Sequence, residues 1–161
     1  MTTKLNSMRL LDKHNIPYEV IPYDDSTRDA EEIADMLGVP PFMIYKTLVV
    51  EPEGVGKKPL LVMIAAHRAL DLKKLAAAAG EKKVRMAAHK DAEALTGLKV
   101  GGISALMLTH KNWPLYLDSA AAELQNLYLS AGQRGLQLRV PVTPLIGLLR
   151  AILADLSTEK S

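Results

Sequence analysis

The sequence predicts a single α/β (α+β) domain, a curved and mostly antiparallel mixed sheet or partly closed barrel with helices packed outside. Three observations carry this. Amphipathic helical stretches alternate with short apolar runs along the whole chain. The short runs are separated by glycine turns, as expected of strands that fold back on one another. A length of 161 residues, with 48% hydrophobic and 24% charged residues, suits one sizeable core.

Leu5, Met8 and Leu11 recur at helical spacing and mark a first helix, closed by Asn15 and Pro17. Tyr18 to Tyr23 reads as a strand. Ala30, Ile33, Ala34 and Leu37 then form one helical face, with acidic residues in the first turn and Gly38 as the stop. Lys46 to Val50 and Leu60 to Ala66 read as a hairpin around Gly54-Val55-Gly56. Asp71 caps a helix with a stripe of Leu72, Leu75, Ala76 and Ala79, ended by Gly80. A strand near Val84 to Met86 and a short helix through Ala92 and Leu95, ending at Gly97, follow. Further strands are expected at Ile103 to Leu108, Leu115 to Leu117, Leu127 to Ser130 and Leu136 to Val140. Thr143-Pro144 reads as the N-cap and first residue of a last helix that turns Leu145, Leu148, Leu149 and Ile152 to the core. No repeat or linker interrupts the pattern, so residues 1–161 read as one domain with a core of about 5–153 and a frayed polar tail at 157–161.

Composition excludes several chemistries. There is no cysteine, hence no disulfide framework, thiolate zinc site or cysteine nucleophile. His14, His67, His89 and His110 have no metal-ligand spacing, so neither metal nor cofactor is expected. Neither a Gly-x-Ser-x-Gly elbow nor a phosphate-binding loop is present. The N-terminus lacks a secretory signal and no apolar run is long enough to span a bilayer, which reads as soluble and cytoplasmic. A net charge of +2 announces no nucleic acid by itself, so any RNA contact has to come from local clusters such as Lys73-Lys74 or Lys82-Lys83 with Arg85, or from Lys111 and Arg134. Aromatic residues make up only 4%, which argues against a base-stacking binder of single strands.

The most informative residue is Lys46, a cation inside the apolar strand Tyr45-Lys46-Thr47-Leu48-Val49-Val50. Alternation puts it on one face with Leu48 and Val50. There an ammonium must reach water, find an anion or lose basicity. A lysine that discourages edge-to-edge pairing is the plain reading; a ligand-holding lysine is the functional one. Two glycine turns lie downstream, Gly101-Gly102-Ile103-Ser104 and Ser130-Ala131-Gly132-Gln133-Arg134-Gly135. Such turns free backbone N–H groups for a carbonyl or an oxyanion, or simply join strands.

These stretches also carry a resemblance. Leu37-Gly38, followed after six intervening residues by Tyr45-Lys46-Thr47-Leu48, resembles the pattern of the YbaK/EbsC/ProX-type aminoacyl-tRNA deacylases, relatives of the editing domain of bacterial prolyl-tRNA synthetase. Leu70 to Leu75, Thr96 to Ser104 and Tyr128 to Leu136 match in the same order, so the likeness extends from about Leu5 to Leu153. It is nearest in pattern to the Cys-tRNA(Pro) deacylase branch. The resemblance implies a trans-editing enzyme that cleaves the ester of a mischarged small amino acid, cysteine or alanine, on tRNA(Pro). Its nucleophile would be water, or the substrate's own thiol in a lyase-type reaction. It implies Lys46 and Gly101 as catalytic residues, with Tyr23, Thr47, Gly102, Ile103, Ser104, Ser130, Gly132 and Arg134 binding substrate. Implied partners are aminoacyl-tRNA and prolyl-tRNA synthetase. Lys46 is expected to orient the substrate through its phosphate or carbonyl rather than to act as a base.

The chain departs from the family pattern at positions expected to form pocket walls. Ala105 stands in place of a proline and Met107 in place of a glycine. Ala131 and Gln133 replace the usual Gly and Lys of the second turn, and Asp24 to Asp29 lacks an aromatic-Gly pair. The alternative reading is a catalytically silent module that binds tRNA or a synthetase.

Overall fold

The computed structural model describes residues 4–27 and 29–160. Helix α1 (Asn6–Lys13) packs Met8 and Leu11 inward and leads to strand β1 (Glu19–Pro22). Helix α2 (Ala30–Leu37) starts at Asp29, whose side chain accepts the Glu31 N–H, and stops at Gly38 in the left-handed region. The hairpin expected around the Gly54–Gly56 turn forms, with β2 (Tyr45–Pro52) antiparallel to β3 (Leu60–Ala65). Strand β4 (Arg68–Leu70), which has no clear sequence signal, precedes α3 (Leu72–Ala79), where Asp71 caps the Lys73 and Lys74 N–H groups. Leu75 and Ala76 of α3 are buried, while Leu72 stays exposed in the first turn. Then follow β5 (Val84–Met86), α4 (His89–Thr96), β6 (Leu115–Asp118), β7 (Asn126–Ser130), β8 (Leu136–Pro141), α5 (Val142–Leu149), β9 (Ile152–Ala154) and β10 (Ser157–Glu159).

The strands form a five-stranded sheet in the order β5-β2-β3-β6-β9, a three-stranded sheet β1-β8-β7 and a pair β10-β4. Among the described strand pairs, β3–β6 and β6–β9 are parallel and the rest antiparallel. The sheet is therefore mixed and mostly antiparallel, and it does not close into a barrel. The main core lies between the two larger sheets and joins Tyr45, Val49 and Met63 to Leu129 and Leu138, with α1 and α5 supplying Leu11 and Leu145. On the other face of the five-stranded sheet, Leu75 of α3 packs with Val62, Ile64 and Leu156. Each such fully buried aliphatic side chain contributes about 1.5–3 kcal/mol.

Three expectations are corrected. Ile103 to Leu108 is not a strand, because the Ser104 hydroxyl accepts the Leu106 N–H and caps a 3-10 turn over Ala105–Met107. Helix α5 begins at Val142 after Pro141 and ends at Arg150, so Ile152 is not helical. It lies, partly exposed, on β9 along the free edge of β6. The tail is not frayed over 157–159. Ser157 is buried and pairs with Leu70, and its hydroxyl donates to Asp118, which also accepts the Leu156 N–H at 3.2 Å.

Candidate active site

Strand β2 has unequal neighbours. β3 follows it from Tyr45 to Val50, but β5 joins only at Val50 to Pro52, and at the other end a single bridge ties Ile44 to Tyr128. Between these attachments one edge of β2 has no strand beside it, and the two larger sheets part. The gap is a cleft of about 220 Å³. Lys46 to Val49 form one wall, Ser130 and Gln137 another, and Gly101, Ile103, His89 and Asp29 stand around them. On this edge the Ala87 N–H donates to the Val49 C=O at 3.0 Å. Alternation of strand amides turns the N–H and C=O of Thr47 the same way, towards the cleft.

Lys46 pairs in register with Ile64 and shares its face with Leu48 and Val50, as alternation predicts. It is half-buried and makes no ion pair among the described residues. Burial holds its ammonium below the usual lysine value, and Lys160 adds repulsion, whereas Asp29 and Glu31 pull the other way. The structure thus supplies the lowered basicity for which the sequence holds no sign. Two more polar groups in the cleft walls lack partners: the Thr47 hydroxyl and the Gln137 Oε1, on residues 9% and 4% exposed. Buried polar atoms normally find partners, and these two have none among the described residues, so both can bond a polar group that enters the cleft. The Ser130 hydroxyl accepts the Gly132 N–H at 3.1 Å.

Of the ten residues singled out from sequence, Lys46, Thr47, Gly101, Ile103 and Ser130 come together in the cleft. Gly101 has φ +91°, a conformation that side chains with a Cβ rarely adopt. The other five stand behind it. A Cβ on Gly102 would meet the backbone of Gln133 and Arg134 at 2.9 Å, so this glycine lets the two turns touch. Arg134 Nε donates to the Val100 C=O at 2.7 Å and ties the second turn to the first. A Cβ on Gly132 would meet Met107 at 2.5 Å. Ser104 is the cap already described, and Tyr23 packs with α2, its hydroxyl buried without a partner.

The expected position of the family departures is corrected as well. Ala105 and Met107 do not line the cleft: Ala105 is buried in the main core, and Met107 packs on Gly132 behind the site. Several of the basic residues are also engaged elsewhere. Lys74 holds Asp155, Arg85 holds Glu51, and Lys111 lies 5.2 Å from the Trp113 ring. Asp29, His89 and Gln137 are cleft residues that sequence reasoning missed. Gln137 alternates with Arg139 between Leu136, Leu138 and Val140, and so reads as part of a solvent face. Its burial comes from β8 lying over the cleft.

Among the described residues no three His, Asp or Glu side chains gather as a metal site, and no helix is long and apolar enough to cross a membrane. The chain is 35% identical over 159 residues, 98% of its length and 95% of the relative's, to EbsC of Enterococcus faecalis, a proposed Cys-tRNA(Pro)/Cys-tRNA(Cys) deacylase. It is 26% identical over 113 residues, 70% of the chain but 19% of the relative, to the proline–tRNA ligase of Staphylococcus aureus strain Newman. A crystal structure of a proposed trans-editing enzyme for prolyl tRNA synthetase superposes with a TM-score of 0.81 at 26% identity, covering 98% of this chain and 99% of that one. The model of the aminoacyl-tRNA editing domain matches residues 24–148, which include every wall of the cleft. On this match and the near full-length likeness to EbsC, the chain belongs to the aminoacyl-tRNA editing domain family.

Proposed function

We propose that this protein is a trans-editing deacylase that removes cysteine or alanine from tRNA(Pro). The observation that carries the reading is Lys46, a half-buried cation without an ion-pair partner among the described residues, set beside a small cleft in which the buried Thr47 hydroxyl and Gln137 Oε1 bond to none of those residues. A volume of about 220 Å³ falls below the roughly 300–1,000 Å³ of drug-sized pockets and suits one small aminoacyl group. The names of the relatives, a deacylase of cysteinyl-tRNA and an enzyme that charges tRNA with proline, point to the same substrate class.

In this reading the aminoacyl group enters the cleft and its α-ammonium donates to Gln137 Oε1 and the Thr47 hydroxyl. The ester carbonyl lies against the Gly101 turn and the free edge of β2, where N–H groups stabilise the charge that builds on its oxygen. Lys46 orients the substrate through the anionic group next to the ester, which relieves its unpaired charge. Of the aliphatic hydroxyls in the lining, Ser130 accepts from Gly132 and Thr47 bonds to none of the described residues, so neither has a base beside it, and burial holds the Tyr45 phenol well above its usual value and so un-ionised. The nucleophile is therefore water or the substrate. Water adds to the carbonyl carbon, the ester C–O bond breaks, and the terminal ribose hydroxyl leaves with a proton as the free amino acid is released. With a cysteinyl group its thiol sulfur can attack instead, giving a thiolactone and the same ribose hydroxyl.

Parallel assays on Cys-, Ala- and Pro-tRNA(Pro) test the proposal. Faster release of cysteine or alanine than of proline is expected, and no release of either small residue overturns it. Equal rates on Cys-tRNA and Ala-tRNA identify water as the nucleophile.

A further inference from the structure

The segment after β9 carries a second lysine to the first turn of α2, beside the cleft. Leu156 is fully buried, and Ser157 is fixed from three sides: by Asp118, by Arg68 Nε at 3.0 Å and by Lys74 Nζ, which reaches its C=O at 2.9 Å. Strand β10 then runs antiparallel to β4, with Glu159 opposite Arg68. The next residue, Lys160, forms an ion pair with Glu31 in the first turn of α2. Its neighbours Asp29 and Ala30 line the cleft, so the pair sits at the cleft mouth, and both side chains remain about 40% exposed (39% and 42%). The Glu31 carboxyl is held below its usual value chiefly by Lys160, and at longer range by Lys46 and His67. Two lysines, Lys160 in contact and Lys46 at longer range, thus act on one carboxylate, with Asp29 as the second acid facing Lys46.

We propose that Lys160 is a substrate-binding residue, taking the phosphodiester beside the aminoacylated ribose in exchange for Glu31. This rests on the deacylase reading. With the aminoacyl group in the cleft, the ribose lies at the mouth and its 5′ phosphate emerges where Lys160 stands. Glu31 then serves as a placeholder that keeps the long lysine side chain extended before substrate arrives, which lowers the entropy lost on binding. The exchange trades one solvent-exposed pair for another, and exposed pairs are weak enough to swap.

The experiment compares wild type, Lys160→Ala and Glu31→Gln on Cys-tRNA(Pro) and on cysteinyl-adenosine, which carries the ester but no phosphate. Lys160→Ala should raise KM for the tRNA about tenfold more than for the nucleoside ester, with kcat unchanged. It should also reduce the salt dependence of log kcat/KM by about 0.7–1, the share of one phosphate contact. Glu31→Gln should lower KM for the tRNA, since it frees Lys160. The proposal is overturned if Lys160→Ala affects both substrates equally, if it affects neither, or if Glu31→Gln reproduces it, since the pair would then only tether β10 to α2. A wild type inert on every aminoacyl-tRNA would sink the deacylase reading instead. In that case, equal affinity of wild type and Lys160→Ala for an RNA acceptor-stem hairpin overturns the contact, and weaker binding by the variant supports it.

Discussion

The two glycine turns are alike in sequence and unlike in the structure. Both carry a glycine at positive φ, Gly101 at +91° and Gly132 at +115°, with a second glycine and a serine within three residues. Gly101 faces the cleft, whereas Gly132 faces Met107 and leaves no room for a Cβ. Arg134 and Gly102 join them, one by a hydrogen bond to Val100 and the other by close backbone contact. One turn lines the cleft and the other holds that turn in place. A glycine motif reports backbone freedom; what the freed backbone faces is set by packing.

The comparison predicts that variants on the cleft side lose activity and variants on the supporting side lose stability. The largest effect is expected for Lys46→Met. Loss of a preorganised charge should cut kcat/KM by about 10²–10³-fold. Thermal unfolding should move the opposite way, to a slightly higher Tm, because burial of this cation is unfavourable in the fold. Parallel loss of Tm and activity would return Lys46 to a structural role.

Next comes the pair Gly101→Val and Gly132→Val, read by kcat/KM per folded molecule and by Tm. Each strains a positive-φ backbone by about 1–3 kcal/mol. Gly132→Val adds the clash with Met107 and should unfold at the lower temperature, whereas Gly101→Val should show the greater loss of activity. The reverse order would break the division between the two turns. Arg134→Met should lie between them, with a modest drop in both quantities, since it frees the Val100 carbonyl and loosens the Gly101 turn.

Gln137→Leu should raise KM while leaving Tm unchanged or higher, because an unpartnered buried amide oxygen is removed. An unchanged KM would remove Gln137 from substrate binding.

The smallest effect is one of pH. The Lys46 value is lowered by folding, so between its folded and unfolded values the unfolded chain binds more protons and stability rises with pH. The penalty is complete below the folded value and gone above the unfolded one. The Tm advantage of Lys46→Met over wild type should therefore shrink as the pH rises towards the ordinary lysine value. A constant difference across that range would mean that Lys46 titrates normally.

Much of the fold was legible because its signals are local. The helix at Ala30 to Leu37 has its own cap, face and glycine stop, and the hairpin of β2 and β3 has two apolar runs about a glycine turn. The Ser104 turn was misread because a buried serine followed by apolar residues fits a strand until its hydroxyl finds the Leu106 N–H. β9 and β10 were missed because Ile152 continues the helical spacing of Leu145, Leu148 and Leu149 and because Ser157 to Glu159 is polar, and both strands form only by adding to β6 and β4.

By itself the sequence determined the family, the position of Lys46 on its strand face and the existence of both glycine turns. Each depends on residue type and spacing along the chain. Only the tertiary structure decided that β5 stops short along β2 and opens the cleft, that Gln137 is buried in it, and that Lys160 returns across 114 residues of chain to stand near Lys46. The physical reason is that desolvation and charge act between groups brought together by packing, so a lysine's basicity or a glutamine's vacancy belongs to its surroundings and not to its position in the chain.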